Sequence, residues 1–107
     1  MRQIRHPLVE RDIIGIAEHI VDVTQGDFAA ARRRLDQIDD LLHAISQNPT
    51  SGARLSGELD GWFVRFGGTD RKISIVFRPD VAQQVLFIAL VAFGGRDWES
   101  LAERRRL

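Results

Sequence analysis

Arginine carries most of the chemistry this sequence offers. Arg65 interrupts a run of large apolar residues, Trp62-Phe63-Val64-Arg65-Phe66, and Arg96 directly follows Gly94-Gly95. Arg71, Lys72 and Arg78 flank a neighbouring apolar segment. A guanidinium is planar, always charged and rich in donors, so several of them on one surface would bind phosphate or carboxylate. Taken singly, each arginine is better explained as a solvated charge at a strand end, its stem lying over apolar surface, and only the convergence of several on one sheet brings the binding reading level with it.

The remaining chemistry is thin. His19 and His43 fall inside helical patterns with no metal-ligand spacing around them, and read as surface or boundary residues. His6 lies where a first strand would meet a first helix, which makes it the candidate general base if the chain does acid–base chemistry. Asp39 and Asp40 are adjacent on a helix and cannot face one site. Cysteine is absent, which excludes thiol catalysis and Cys-based zinc or iron–sulfur centres. No phosphate-binding loop, dinucleotide fingerprint or nucleophile elbow occurs, and no metal or cofactor is expected.

The elements that would position these residues follow from periodicity. Val9, Ile13, Ile14, Ala17, Ile20 and Val21 recur at helical spacing after Pro7. Gly26 suits a helix end, and Asp27 suits the start of a second helix carrying Leu35, Ile38, Leu41, Leu42 and Ile45. Asn48-Pro49 ends that helix, and the glycine-rich stretch Thr50 to Gly61 reads as a loop. Period two then takes over. Trp62, Val64 and Phe66 alternate with Phe63 and Arg65, and Ile73, Ile75 and Phe77 with Ser74 and Val76. The second of these strands is expected to close at Pro79-Asp80. Val85 to Phe93 is apolar throughout, as in a strand buried on both faces. A short helix from Trp98 to Arg106 completes the chain, with Gln3-Ile4-Arg5 as a first strand. The expectation is an α+β fold, β-α-α-β-β-β-α, with a helical hairpin on one face of an antiparallel sheet.

Within it, Trp62, Val64 and Phe66 are assigned to the core under the hairpin, and Arg65 to the opposite side. Arg96 is expected to swing back over the sheet end and share a surface with Arg65. Arg104 to Arg106 read as charge complementing a helix C-terminus. Asp36, Asp39 and Asp40 are placed to pair with Arg32 and Arg33 along their helix. An apolar groove between hairpin and sheet is expected to accept a partner's helix.

Composition agrees with one ordinary domain spanning residues 1–107. The chain is 44% hydrophobic and 28% charged with zero formal net charge. The charge is polarised: residues 1–60 hold seven bases against ten acids, and residues 61–107 eight against five. A strongly basic nucleic-acid binder is thus excluded, but a local cationic patch in the second half is not. The N-terminal stretch is charged from its second residue, and the longest apolar run, nine residues, is too short to cross a membrane. A cytoplasmic protein is expected.

Four segments together resemble one known family over nearly the whole chain. They are HPLVERDIIGIAEHI (residues 6–20), ARRRLDQIDDLLHAISQNPTSGARL (31–55), the strand pair WFVRF (62–66) and KISIVFRPD (72–80), and VLFIALVAFGGRDW (85–98). The combination is similar to the RelE/ParE superfamily of toxins from type II toxin–antitoxin systems, with the ParE, or plasmid-stabilisation, branch favoured. The resemblance implies a bacterial growth inhibitor neutralised by a cognate antitoxin. ParE-like members poison DNA gyrase; RelE-like members cleave mRNA on the ribosome with basic strand residues and a C-terminal tyrosine or histidine. Arg65 and Arg96 match the family's strand arginine and the arginine after its last strand. This chain has no tyrosine, and no histidine follows His43. The resemblance therefore implies target or antitoxin contacts at Arg65, Arg71, Arg78, Arg96 and Trp98. If the chain is instead an RNase, the catalytic candidates are Arg65, Arg96 and His6. A binding module that kept the fold and lost the toxicity is the third reading.

Overall fold

In chain order the elements are β1 (Arg2–Arg5), α1 (Val9–Val23), α2 (Phe28–Gln47), β2 (Ala53–Arg54), β3 (Phe63–Gly67), β4 (Ile73–Asp80), β5 (Val85–Phe93) and α3 (Trp98–Arg105). The computed structural model describes residues 1–105, so Arg106 lies outside the described residues. The strands form one sheet in the order β1-β5-β4-β3-β2. β2 to β5 are antiparallel, as the meander implies, while β1 joins parallel to β5. Alternation reports which side chains share a face, not which way a strand runs, so the direction of β1 was not readable.

The helical hairpin closes as its caps require. The Asp27 carboxylate accepts the Ala30 N–H at 2.9 Å, and Gly26, at φ +101°, donates its N–H to Val21 O at 2.8 Å. Gln3 ties β1 to α2 by donating to Leu42 O (3.1 Å) and Ser46 Oγ (2.6 Å). The expected pairs of Asp36, Asp39 and Asp40 with Arg32 and Arg33 do not form among the described residues. These side chains remain in water, where such a pair contributes only a few tenths of a kcal/mol.

Two departures from the expected strands have local causes. Inside the expected loop, Ala53 and Arg54 pair with Val64 and Phe63. A Cβ on Gly52 would lie 2.7 Å from Val64 O, so the close approach depends on glycine. β4 runs through Pro79 to Asp80, where Pro79 lies opposite Leu86 and Asp80 opposite Val85 of β5, beyond the last β3 pair at Phe77, so the proline sits where β4 has one neighbouring strand instead of two.

The faces are the reverse of the expectation. Phe63, Ile73, Ile75 and Phe77 pack under the hairpin with Ile16, Ile38, Leu42 and Ile45. Trp62 and Val64 pack on the other face with Leu101 and Ala102 of α3, and Phe66 adjoins them. Both faces are buried, so both carry large apolar residues and the pattern does not say which meets the hairpin. Gly67 belongs to the hairpin side, where a Cβ would come 2.8 Å from Leu41.

β5 serves both layers through a β-bulge. Val76 pairs with Leu90 but Phe77 with Ile88, which leaves Ala89 as the extra residue. Leu86, Ile88 and Val91 consequently face the hairpin, and Ala89, Leu90 and Ala92 face α3. β1 pairs only to Ile88, where the His6 N–H donates to Ile88 O at 2.8 Å, so the bulged edge has no neighbouring strand. Asp12 and Arg105 fill that gap. Asp12 Oδ2 accepts the Val91 N–H at 3.1 Å, and Arg105 Nη1 donates to Ala89 O at 3.3 Å. The two side chains form a bidentate pair, Nη1–Oδ2 2.5 Å and Nη2–Oδ1 2.9 Å, at 6% and 7% exposure. Arg105 is thus a buried ion-pair partner and not a helix-end charge.

Removing one member of a buried pair strands the other, which costs about 3–5 kcal/mol against a usual total of about 5–15 kcal/mol. We expect Asp12→Ala or Arg105→Ala to lower unfolding stability in urea by about 3 kcal/mol or more. The double variant should lose far less than the sum, since neither charge is left alone. Single losses below about 1 kcal/mol would contradict this role.

Candidate functional site

α3 is shorter than the face it covers, and this decides what remains accessible. Its position depends on Asp97, whose Oδ1 accepts the Ser100 N–H at 3.2 Å and whose Oδ2 accepts the Ser100 hydroxyl at 2.7 Å. The Ser100 hydroxyl, then its N–H, hold the Asp97 carboxyl below its ordinary 3.8, with a smaller contribution from Arg104. Trp98, at the start of the helix, meets Phe66 edge-on with ring centroids 6.1 Å apart. Leu101 and Ala102 cover Val64, Val76 and Leu90.

Two arginine–aromatic clusters occupy this face. At the β3–β4 end, Arg71 Cζ lies 5.6 Å from the Phe66 ring, next to Trp98. At the opposite end, Arg78 Cζ is 5.4 Å from the Trp62 ring and 5.0 Å from the Phe87 ring. Ile4 pairs with Phe87 in register and continues that row onto β1. Trp62 is buried, Arg78 and Phe87 are half-buried, and Ile4 is 38% exposed. The Arg78 Nε is buried without a hydrogen-bond partner. Guanidinium groups lying over aromatic rings present donors and π-faces together, a combination suited to carboxylates, phosphates and planar groups.

The other expected residues lie elsewhere. Arg65 pairs in register with Ile75 on the hairpin face and donates to Ser51 Oγ at 2.8 Å, so it does not open on the α3 side. Arg96 is exposed in the loop after β5 and lines a cleft of about 560 Å³ with Arg11, Ile14, Gly15, His19 and Phe93. It does not share a surface with Arg65, and the Asp97 carboxylate that could have held it is engaged by Ser100. His6 caps a turn: its Nδ1 accepts the Leu8 N–H at 3.1 Å. His19 and His43 are exposed on the helices, as expected. No group of three or more His, Cys, Asp or Glu among the described residues could hold a metal ion.

Sequence reasoning missed Trp62, Phe87 and Ile4 as partners of this surface, having assigned Trp62 to the hairpin core. Their signal was the odd–even position of Arg78 relative to Ile73, Ile75 and Phe77, which sets it on the opposite face. The other piece, which row of β5 it meets, depends on the bulge at Ala89 and is not visible in one strand's pattern.

No family model and no curated protein matches the sequence. Solved structures do match the fold. A chain of the RelBE2 toxin–antitoxin complex from Mycobacterium tuberculosis superposes with a TM-score of 0.59 at 17% identity, covering 86% of this chain and 95% of its own. A YoeB/ParE toxin from Agrobacterium tumefaciens gives 0.60 at 20% identity, covering 87% and 98%. The α+β architecture is therefore that of RelE/ParE-type toxins. No helix among the described residues is long and apolar enough to cross a membrane.

Three measurements test the site's construction. Arg78→Ala should lower the melting temperature by about 4–8 °C, the equivalent of roughly 1 kcal/mol for its two ring contacts. Arg96→Ala, at an exposed position, should leave it within about 3 °C. The Asp97 cap gives its full stability above the ordinary carboxyl value of 3.8 and loses it as pH falls through the lowered one. An NMR titration of Ser100→Ala should show the Asp97 carboxyl moving up toward 3.8; an unmoved value would mean that Ser100 is not its stabiliser.

Proposed function

We propose that this chain, which carries the fold of RelE/ParE-type toxins, is itself the toxin of a type II toxin–antitoxin module and acts in the ParE manner, by poisoning DNA gyrase. The observation that carries the reading is the face described above: cationic and aromatic, with arginine, tryptophan and phenylalanine as its named side chains and no histidine or tyrosine among them. Arg71, Arg78 and Trp98 are its contact residues, joined by Phe66, Phe87 and Ile4. Such a surface binds; it does not move protons. Cleavage of RNA by its own 2′-hydroxyl needs a group that takes the nucleophile's proton, and a guanidinium remains protonated at any physiological pH. The chain has no tyrosine. His6, the candidate base, already spends Nδ1 on the Leu8 N–H.

Neutralisation follows from the same chemistry. An antitoxin segment with acidic side chains would pair with Arg71 and Arg78 and cover the apolar row at Phe87 and Ile4, which excludes the target by occupying its contacts. That one structural neighbour is a toxin–antitoxin complex supports such a partner. The expected groove between hairpin and sheet is not its site, because that space is filled by the main core.

Induction of the chain in bacteria should arrest growth with filamentous cells and an induced DNA-damage reporter, while total mRNA stays intact. Cleavage of mRNA at ribosomal A-site codons within minutes of induction would overturn the gyrase reading and make the chain a RelE-like ribonuclease. Undisturbed growth at full expression would leave only a binding module with the toxin fold.

A further inference from the structure

We propose that the outer surface of the α1–α2 hairpin, away from the sheet, docks a cationic amphipathic helix of a partner protein. The two helices leave between them a groove of about 860 Å³. Its floor is the outer edge of the hairpin's own packing, where Ala31 is buried in the core and Ala17 and Val21 are half-buried against it, while Phe28 is left uncovered. Ala17 and Val21 supply it from α1, and Phe28, Ala31 and Leu35 from α2. Phe28 is 73% exposed, the most exposed large apolar side chain among the described residues. Nothing in the fold requires it there: the helix start is secured by Asp27, and a polar residue at the first helical position would serve equally. A stripe with this spacing along two adjacent helices accepts a third helix, ridge into groove. From Phe28 to Asp39 the trough is about 17 Å long at 1.5 Å per residue, room for about three turns.

The rim fixes the sign of the occupant. Glu18 and Asp22 on α1 and Asp36 and Asp39 on α2 line the groove, opposed only by Arg32. Lysines or arginines flanking the occupant's apolar face would meet carboxylates on both sides, while an acidic helix would be repelled from both. A second copy of this chain fits poorly. Groove against groove would bring the carboxylate rims together, and α3 carries Glu99 and Glu103 beside Arg104. The groove lies on the far side of the hairpin from the arginine–aromatic face, so both surfaces can be occupied at once. The proposal does not depend on the toxin reading.

The test uses the full chain and a labelled helical peptide of about fourteen residues with leucines along one face and lysines beside them. Fluorescence anisotropy should show binding that weakens about tenfold or more when salt rises from about 50 mM to about 300 mM. It should weaken about tenfold in Phe28→Ser and more in Asp36→Lys/Asp39→Lys, all exposed positions whose folding a thermal melt verifies. The same peptide with glutamates in place of lysines should not bind. The proposal is overturned if both peptides bind alike, if neither binds, or if the variants bind like the parent. It is also overturned if light scattering shows a dimer that Phe28→Ser dissolves, because the groove would then belong to a second copy.

Discussion

The bulge at Ala89 and the ion pair that seals it are what the rest of the molecule depends on. A strand apolar on both faces must supply side chains to two layers, and β5 does so by switching phase between Ile88 and Leu90. The switch leaves a bulged edge that β1 does not reach, with the Val91 N–H and Ala89 C=O in need of partners. An unpaired backbone group in the interior costs about 1–3 kcal/mol, so the bulge is tolerable only if something polar is brought to it. Asp12 comes from the hairpin layer and Arg105 from the helix on the other face. Each satisfies one backbone group, and together they neutralise each other. Hairpin, sheet and final helix are joined at this point through side chains far apart in sequence.

That join also determines what the second face can present. Arg105 fixes the end of α3 over Ala89 and Asp97 fixes its start, so the helix covers the rows of Val64 and Val76 and stops. Beyond it the row of Ile4, Phe87, Arg78 and Trp62 stays partly open. An arginine held between two rings has its guanidinium orientation set by packing, so less entropy is lost when a partner's carboxylate or phosphate arrives. The acidic groove on the hairpin is the electrostatic counterpart, and the polarity between the chain's two halves appears in the folded molecule as two surfaces of opposite charge.

Much of the architecture was legible in the sequence, for reasons that can be named. β5 begins and ends where its apolar run does, and α2 begins at the residue after Asp27. The helical hairpin and the three-strand meander also follow from periodicity and turn residues. What escaped was everything decided by partners distant in the chain. β2 is two residues long and exists because β3 lies beside it. The face assigned to Trp62 was reversed because both faces of this sheet are apolar. Arg105 looked like a helix-end charge, since nothing near it in sequence announces Asp12. For the site, Arg71, Arg78 and Trp98 do lie on one side of the sheet, whereas Arg65 and Arg96 were led elsewhere by the same reversal and by the loop after Gly95.

The toxin reading proposed above puts the working surface on the α3-covered face of the sheet and not at Arg65 and Arg96. The most direct measurement is growth after induction of two folded double variants, Arg71→Ser/Arg78→Ser and Arg65→Ser/Arg96→Ser, with expression and melting checked for each. The first should no longer arrest growth, and the second still should. Arrest by the first variant, with its loss in the second, would place the target contacts at Arg65 and Arg96 instead.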